Sequence, residues 1–362
     1  MIYEEEVFTA PCPYPLHRLG TPERLLFFDI ETTGLSAGTS SLYLIGALSF
    51  DGRQWKLVQW MAERFLEEEQ VLRAFTAYCA GYDTLVHFNG DTFDIPFLKG
   101  CAGQYNLSMP FDQMNSIDLL KQIRPLKPLL SLENLKLKTI ERFLKIDRED
   151  QYTGGELISV YETYTNRQSE ELKHLLLLHN AEDLKNLPPL LSVLFYKDLP
   201  ECEPTVLSCV QTEDTLQLAC QLAFAVPKDT SFSLSSASFH LEADHLDVTF
   251  PLYTGKLRYF YPNYREYYYL PLEDYAIHKK VAQFVDPAHR KKATAKTAYT
   301  WQEGCYLPLP VGKKAVSELT LSDETIPVLR EAYASRDCYI SFRPERAFLE
   351  AYLQLFLQTI SR

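Results

Sequence analysis

The sequence lacks any run of ~18 uncharged apolar residues, so it predicts no membrane-spanning helix. Its start, MIYEEEVFTA, is acidic and lacks a basic segment followed by an apolar one, so no secretory leader is expected. No CxxC occurs among the eight cysteines, Cys12, Cys79, Cys101, Cys202, Cys209, Cys220, Cys305 and Cys338. Their spacing suggests neither a zinc site nor a disulfide framework, and dispersed thiols imply a reducing cytoplasm. Positive charge is also scarce: 36 Lys and Arg stand against 48 Asp and Glu, a net charge of −12. A protein that coats nucleic acid through its overall field is basic, so broad coating is excluded. Local binding remains, through a metal-filled site or a small basic patch. Neither an internal repeat nor a low-complexity tract is present.

What is there is ordinary globular material. The 362 residues are 46% hydrophobic, 23% charged and 13% aromatic, and the length favours two domains. The first half alternates strand-like and helix-like segments. Residues 24–30, 41–50, 56–61, 84–88 and 116–120 read as strands, with Asp51-Gly52 as a hairpin turn. Residues 67–82, 93–105, 131–144 and 169–195 have helical spacing. This is an α/β pattern: a three-strand meander, then strands alternating with helices. Prolines and charges over residues 197–204 mark a linker. Beyond it, residues 246–253, 256–261 and 266–270 read as consecutive antiparallel strands, with turns at Thr254-Gly255 and Pro262-Asn263. Residues 277–285 read as a short helix and 345–360 as a closing helix with Phe348, Tyr352, Leu355 and Phe356 on its apolar face.

Three segments concentrate groups able to do chemistry. The first, Asp29-Ile30-Glu31-Thr32-Thr33-Gly34-Leu35, ends an apolar strand. Side chains alternate along a strand, so Asp29 and Glu31 leave the same face; a strand-end pair feeding a turn is the plain alternative. The second, residues 87–98, runs from a strand through Asn89-Gly90 into a helix. It places Asp94 in the first helical turn, where the macrodipole favours a carboxylate. Its plain alternative is a cap at Asp91 or Thr92. The third, His179-Asn180-Ala181-Glu182-Asp183, lies within a helix, where residues four apart share a face. A surface His–Asp pair is the alternative there.

Taken in order, D-x-E at a strand end, N-G-x-x-F-D, then H-x-x-x-D, these segments resemble the DEDD superfamily of 3′–5′ exonucleases on a ribonuclease-H-like fold. More closely they resemble its YprB-like branch. Ile117-Asp118-Leu119-Leu120, Ser131-Leu132-Glu133, and Gly155-Glu156-Leu157-Ile158 followed by Tyr161 extend the resemblance over about residues 14–196. It implies a ribonuclease-H-like mixed sheet flanked by helices for residues 1–200. Residues 201–362 are then a smaller α+β accessory domain with an antiparallel meander, for which no family is recognised.

The resemblance further implies that Asp29, Glu31, Asp94 and Asp183 converge on two Mg²⁺ or Mn²⁺ ions. The physics agrees with it. Two anions ~4 Å apart repel by about 4 kcal/mol at an effective dielectric near 20. Oxygen-only ligands suit Mg²⁺ or Mn²⁺ rather than Zn²⁺, and two such ions ~3.5–4 Å apart can clamp a scissile phosphate. By resemblance Asp29, Glu31 and Asp183 bind the tighter ion, Asp94 holds water on an ion, and His179 is the general base. Superfamily members with His place it five residues before the last Asp, and members with Tyr place theirs four before. His179 is four before Asp183. Gly154 stands where proline is expected, in a loop.

The implied activity is metal-dependent hydrolysis from the 3′ end of DNA or RNA, releasing nucleoside 5′-monophosphates. The alternatives are a non-catalytic module that binds nucleic-acid ends, or an assembly protein that docks a partner through residues 201–362. Thr32, Thr33 and Leu35 occupy positions where related exonucleases contact the terminal nucleotide; Leu35 either wedges against the last base or packs in the core. Asn89 either contacts substrate or holds the turn. Asp118 reads as a cap and His87 as a satisfied strand histidine. Tyr253, Tyr259, Tyr261, Tyr264 and Tyr267 to Tyr269, with Lys256, Arg258 and Arg265, read as sheet-filling aromatics rather than a base-stacking surface. Lys279, Lys280, Arg290, Lys291, Lys292 and Lys296 form a local basic excess. Lys291 and Lys292 either steer nucleic acid or belong to a solvated face.

Overall fold

Six strands, β1 (Ile2–Phe8), β2 (Leu25–Thr32), β3 (Leu42–Phe50), β4 (Trp55–Met61), β5 (Thr84–His87) and β6 (Asn115–Asp118), form one mixed sheet in the order β1-β4-β3-β2-β5-β6. The computed structural model describes residues 1–310, 317–321 and 324–360. The chain divides into two compact units, Met1–Lys197 and Asp198–Arg362.

In the first unit, β1, β4, β3 and β2 pair antiparallel, whereas β2, β5 and β6 run parallel. The helices accompanying the sheet include α1 (Glu68–Cys79), α2 (Asp94–Gln104), α3 (Leu119–Ile123), α4 (Leu137–Leu144), α5 (Gly154–Arg167) and α6 (Glu170–Lys185). β2 is buried on both faces, which is why it reads as a near-continuous apolar run. One face carries Leu26, Phe28, Ile30, Ile45, Ala47, Val58 and Trp60 into a core with Val71, Leu72 and Phe75 of α1 and Phe97 and Leu98 of α2. Burial of each of the Leu, Ile, Val and Phe side chains among them contributes roughly 1.5–3 kcal/mol. On the second face, Tyr43, Leu44 and Met61 meet Leu157, Tyr161 and Tyr164 of α5 and Leu176 of α6. α5 starts at a capping box: Thr153 and Glu156 satisfy each other's backbone donors.

β1 escapes sequence reading because Glu4, Glu5 and Glu6 hide its alternation. Those charges lie exposed on an edge strand, where they discourage pairing with another chain. The helix expected over residues 131–144 is shorter, beginning at Leu137. Ser131 takes a left-handed backbone (φ 50), and the Asn134 side chain accepts the Lys136 N–H, so this stretch turns rather than coils. The helix expected over 169–195 ends at Lys185 and resumes as separate turns, because Pro188 and Pro189 cannot donate to it.

The second unit is largely antiparallel. β7 (Thr205–Gln211), β8 (Thr215–Gln221), β9 (Thr230–Leu234), β10 (Ala237–Glu242) and β11 (His245–Pro251) form a sheet in the order β7-β8-β11-β10-β9. The closing helix Arg346–Leu357 packs Tyr352 and Phe356 against Phe250 at ring distances of 4.9 and 5.0 Å. Next come β12 (Tyr253–Phe260), β13 (Tyr267–Leu270), β14 (Tyr275–His278), β15 (Lys291–Lys292) and β16 (Tyr299–Pro308). β12 and β16 close a small barrel with the short strands Leu329–Arg330 and Tyr339–Ser341.

The expected meander of residues 246–253, 256–261 and 266–270 is therefore three different pairings. β11 lies between β8 and β10, β12 pairs with β16, and β13 lies between β14 and β15. Thr254 and Gly255 are not a turn; they sit inside β12 opposite Cys305 and Gly304. The meander the unit does contain is β9–β10–β11, turned at Ser235 and Ala243, both left-handed. Of residues 197–204, read as a linker, 197–201 lie in helical turns. Among the described residues no helix is long and apolar enough to cross a membrane.

Candidate active site

Asp29 and Glu31 lie near the end of β2, on the face that α6 covers. Glu31 is buried at 8% exposure, and a register shift between Glu31 and Thr32 ends the regular pairing with β3. α6 approaches the sheet closely because position 46 on β3 is glycine. A Cβ there would lie 2.1 Å from Asn180 Oδ1 and 2.4 Å from Leu184 Cδ1. The fully buried Asn180 uses that approach. Its Nδ2 donates to Asp29 Oδ2 at 2.9 Å, and its Oδ1 accepts from Gln59 Nε2 at 2.9 Å.

One residue before Asn180, His179 is 5% exposed. Its Nε2 lies 3.5 Å from Glu31 Oε1 and 3.9 Å from Asp183 Oδ2. Glu31, His179 and Asp183 offer donor atoms that all lie within 4.8 Å of one another. Asp94 enters from α2: its Oδ1 accepts the Ile30 N–H at 3.3 Å, which ties the helix N-terminus to β2.

The connection from α4 to α5 brings two residues that sequence reasoning missed. Asp150 Oδ2 accepts from His179 Nδ1 at 2.7 Å. The buried Arg148 guanidinium pairs with Asp183 Oδ1, and lies 3.2 Å from Glu141 and 3.3 Å from Asp150. Glu182, between the two motif residues, accepts the N–H groups of Glu149 and Asp150 at 2.9 and 2.8 Å. The charge-dense segment Asp147-Arg148-Glu149-Asp150 was the available signal.

The electrostatics follow from this crowding. Burial, then Asp183, Glu31 and Asp94, hold the Asp29 carboxyl well above the usual carboxylate range, against the Asn180 hydrogen bond. Burial, Asp183 and Asp94 raise Glu31 likewise, with Arg148 opposing. Asp94 is pushed up to about 7 by burial, with Asp118 and Asp183 adding to it, although its own N–H and that of Ile30 pull it down. Asp150 goes the other way. Burial would raise it, but the Tyr152 N–H and His179 bring it below its ordinary value.

Such an excess of buried anionic oxygen fits a hard divalent cation. Asp118 Oδ2 adds to it, being buried without a hydrogen-bond partner among the described residues. The other grouping of His and carboxylates, His87, Asp91 and Asp118, fits a cation less well. His87 Nδ1 accepts the Gly90 N–H at 3.0 Å, so Nε2 carries the proton and donates to Ser116 Oγ at 2.8 Å. Lys121 already pairs with Asp91.

The remaining candidates fall as follows. Thr32 Oγ1 donates to the Gly34 carbonyl at 2.8 Å, and Thr33 Oγ1 accepts the Ser41 N–H at 2.9 Å, so both hold the chain after β2. Leu35 is 88% exposed and takes no part in the core. Asn89, left-handed at φ 70, donates its N–H to Asp118 Oδ1 and accepts from Thr92 Oγ1, which makes it a turn-holding residue. Asp118 also caps α3. Lys291 and Lys292 are exposed on β15 of the second unit, opposite Tyr269 and Tyr268.

Residues 26–195 match a family model described as the RNase H superfamily, and this part of the chain is an RNase H-like domain. Among solved structures, the chain is similar to the family B DNA polymerase from the hyperthermophilic archaeon Pyrobaculum calidifontis. The identity is 14% and the TM-score 0.40, with 66% of this chain and 34% of that one covered, so the chain spans about a third of the polymerase's length. No curated protein matches the sequence.

Proposed function

We propose that the first unit is a metal-dependent 3′–5′ exonuclease acting on DNA or RNA, of the DEDD type and its YprB-like branch. Residues 1–200 carry the chemistry and residues 201–362 are accessory. The observation that carries this reading is the meeting of Glu31, His179 and Asp183 within 4.8 Å, with Asp94 near enough to raise Glu31, and Asp29 near enough to be raised by Asp183, Glu31 and Asp94. The RNase H-like domain around them supports a nuclease-type hydrolase.

Asp29, Glu31, Asp94 and Asp183 would hold two Mg²⁺ or Mn²⁺ ions, which when bound neutralise phosphate charge and acidify water. The chain's own groups do the rest. His179 Nε2 takes the proton of the attacking water, an effect typically of ~10²–10⁴ in rate. Water adds to phosphorus, the P–O3′ bond breaks, the departing O3′ takes a proton from solvent, and a nucleoside 5′-monophosphate leaves the shortened strand with a free 3′-hydroxyl. Asn180 keeps Asp29 in place. Leu35, apolar and exposed just past β2, suits contact with the terminal base. Eight free cysteines support a reducing compartment such as the cytoplasm.

A second reading is favoured by Arg148, whose guanidinium already neutralises Asp183: a module that holds 3′ ends without turnover, with residues 201–362 docking a protein partner. 5′-labelled oligonucleotides with free or blocked 3′ ends, incubated with Mn²⁺ or chelator, separate the two. Stepwise shortening of the free 3′ end, lost with chelator and in Asp29→Ala, is expected. Tight binding with no shortening, or shortening indifferent to Asp29→Ala, refutes the exonuclease.

A further inference from the structure

We infer that Asp150 is a positioning residue that holds a proton of His179 on Nδ1 and so turns Nε2 toward Glu31 and Asp183. This rests on the exonuclease reading for its purpose, but not for its geometry.

An ionised carboxylate only accepts hydrogen bonds. Asp150 is surrounded by groups that keep it ionised. Lys138 Nζ lies 3.2 Å and Arg148 Nη2 3.3 Å from its Oδ2, and the Tyr152 N–H donates to its Oδ1 at 3.0 Å. The 2.7 Å contact with His179 Nδ1 therefore requires the hydrogen on that nitrogen. A histidine partner of this kind sets both the tautomer and the ring orientation.

The carboxylate is itself well anchored. Glu182, on the same helix as His179, accepts the N–H groups of Glu149 and Asp150. Arg148 ties the connection to Glu141 of α4 and to Asp183 of α6. It engages Asp183 through Oδ1, while Oδ2 is the oxygen that faces His179. One short connection thus orients both His179 and Asp183. It also bears on the spacing between them. Four residues apart on α6, they share one face, and Asp150 approaches the ring from the side opposite the carboxylate cluster.

The test reads the proton directly. Long-range ¹H–¹⁵N spectra of the full-length wild type without metal should show His179 with its hydrogen on Nδ1. An Nε2–H tautomer in the wild type overturns the proposal without any variant. In Asp150→Asn the amide can donate to Nδ1 and transfer the hydrogen to Nε2. The expected result is that altered tautomer and a loss in kcat of about 10- to 100-fold, with KM for oligonucleotide and Mn²⁺ affinity within about twofold. Asp150→Asn with the wild-type tautomer and kcat contradicts it. A wild type that shows the Nδ1–H tautomer but cleaves nothing removes the exonuclease reading and leaves the positioning geometry intact.

Discussion

Gly46 and Asn180 meet where β3 passes beneath α6, with no room for a Cβ between them. Any side chain at position 46 must lift α6 and part Asn180 from Asp29. Gly46→Ala should destabilise the protein by about 1–3 kcal/mol, the usual cost of overpacking, and lower nuclease activity with it. Denaturant midpoints and cleavage rates check both. An unchanged midpoint with unchanged activity would mean that α6 is not held by this contact.

The raised carboxyls give stability a definite pH sign. A carboxyl whose pKa is higher in the folded state binds its proton more tightly there. Its contribution is complete below the ordinary carboxylate range and is lost as pH rises through the folded value. For Asp94 that value is about 7, and Asp29 and Glu31 shift in the same direction. In chelator, the melting temperature should fall between about pH 5 and about pH 8, and Asp94→Asn should flatten the fall. Mn²⁺ should restore stability most at the upper end. A melting temperature that climbs over this window in chelator contradicts the assignment.

Leu35 offers a separation of stability from function. At 88% exposure, Leu35→Ala should change stability by no more than about 0.5 kcal/mol. If the side chain touches the terminal base, KM for a 3′ end should rise several-fold while the melting temperature stays put. An unchanged KM would leave Leu35 as ordinary surface.

Lys291 and Lys292 test whether the second unit shares in binding. Each phosphate contact on a single strand contributes about 0.7 to the salt slope. Reversing both charges should lower that slope by about 1.4. An unchanged slope assigns the pair to solvent.

Much of this arrangement is visible in the sequence because it is local. Asp29 and Glu31 are two apart on a strand, His179 and Asp183 four apart on a helix, and Asp94 opens a helix after a turn. The charged run around Arg148 and Asp150 is visible but its role is not, since their partners Asp183 and His179 lie 35 and 29 positions away. Asn180 stands inside a motif, yet its contact depends on Gly46, whose importance appears only when α6 meets β3. The strands of the second unit carry legible patterns, but which strand each one joins is decided by long-range pairing. β12 finds its partner in β16, with Phe260 opposite Tyr299 and Tyr253 opposite Tyr306, and nothing local announces that.

Mn²⁺ titration of the metal-free protein, followed by electron paramagnetic resonance, tests most directly whether the distant acidic residues form one cation site. Two ions bound per wild-type chain, and fewer in each of Asp29→Asn, Asp94→Asn and Asp183→Asn, is the expected result. Wild-type binding retained in all three variants would contradict a shared site.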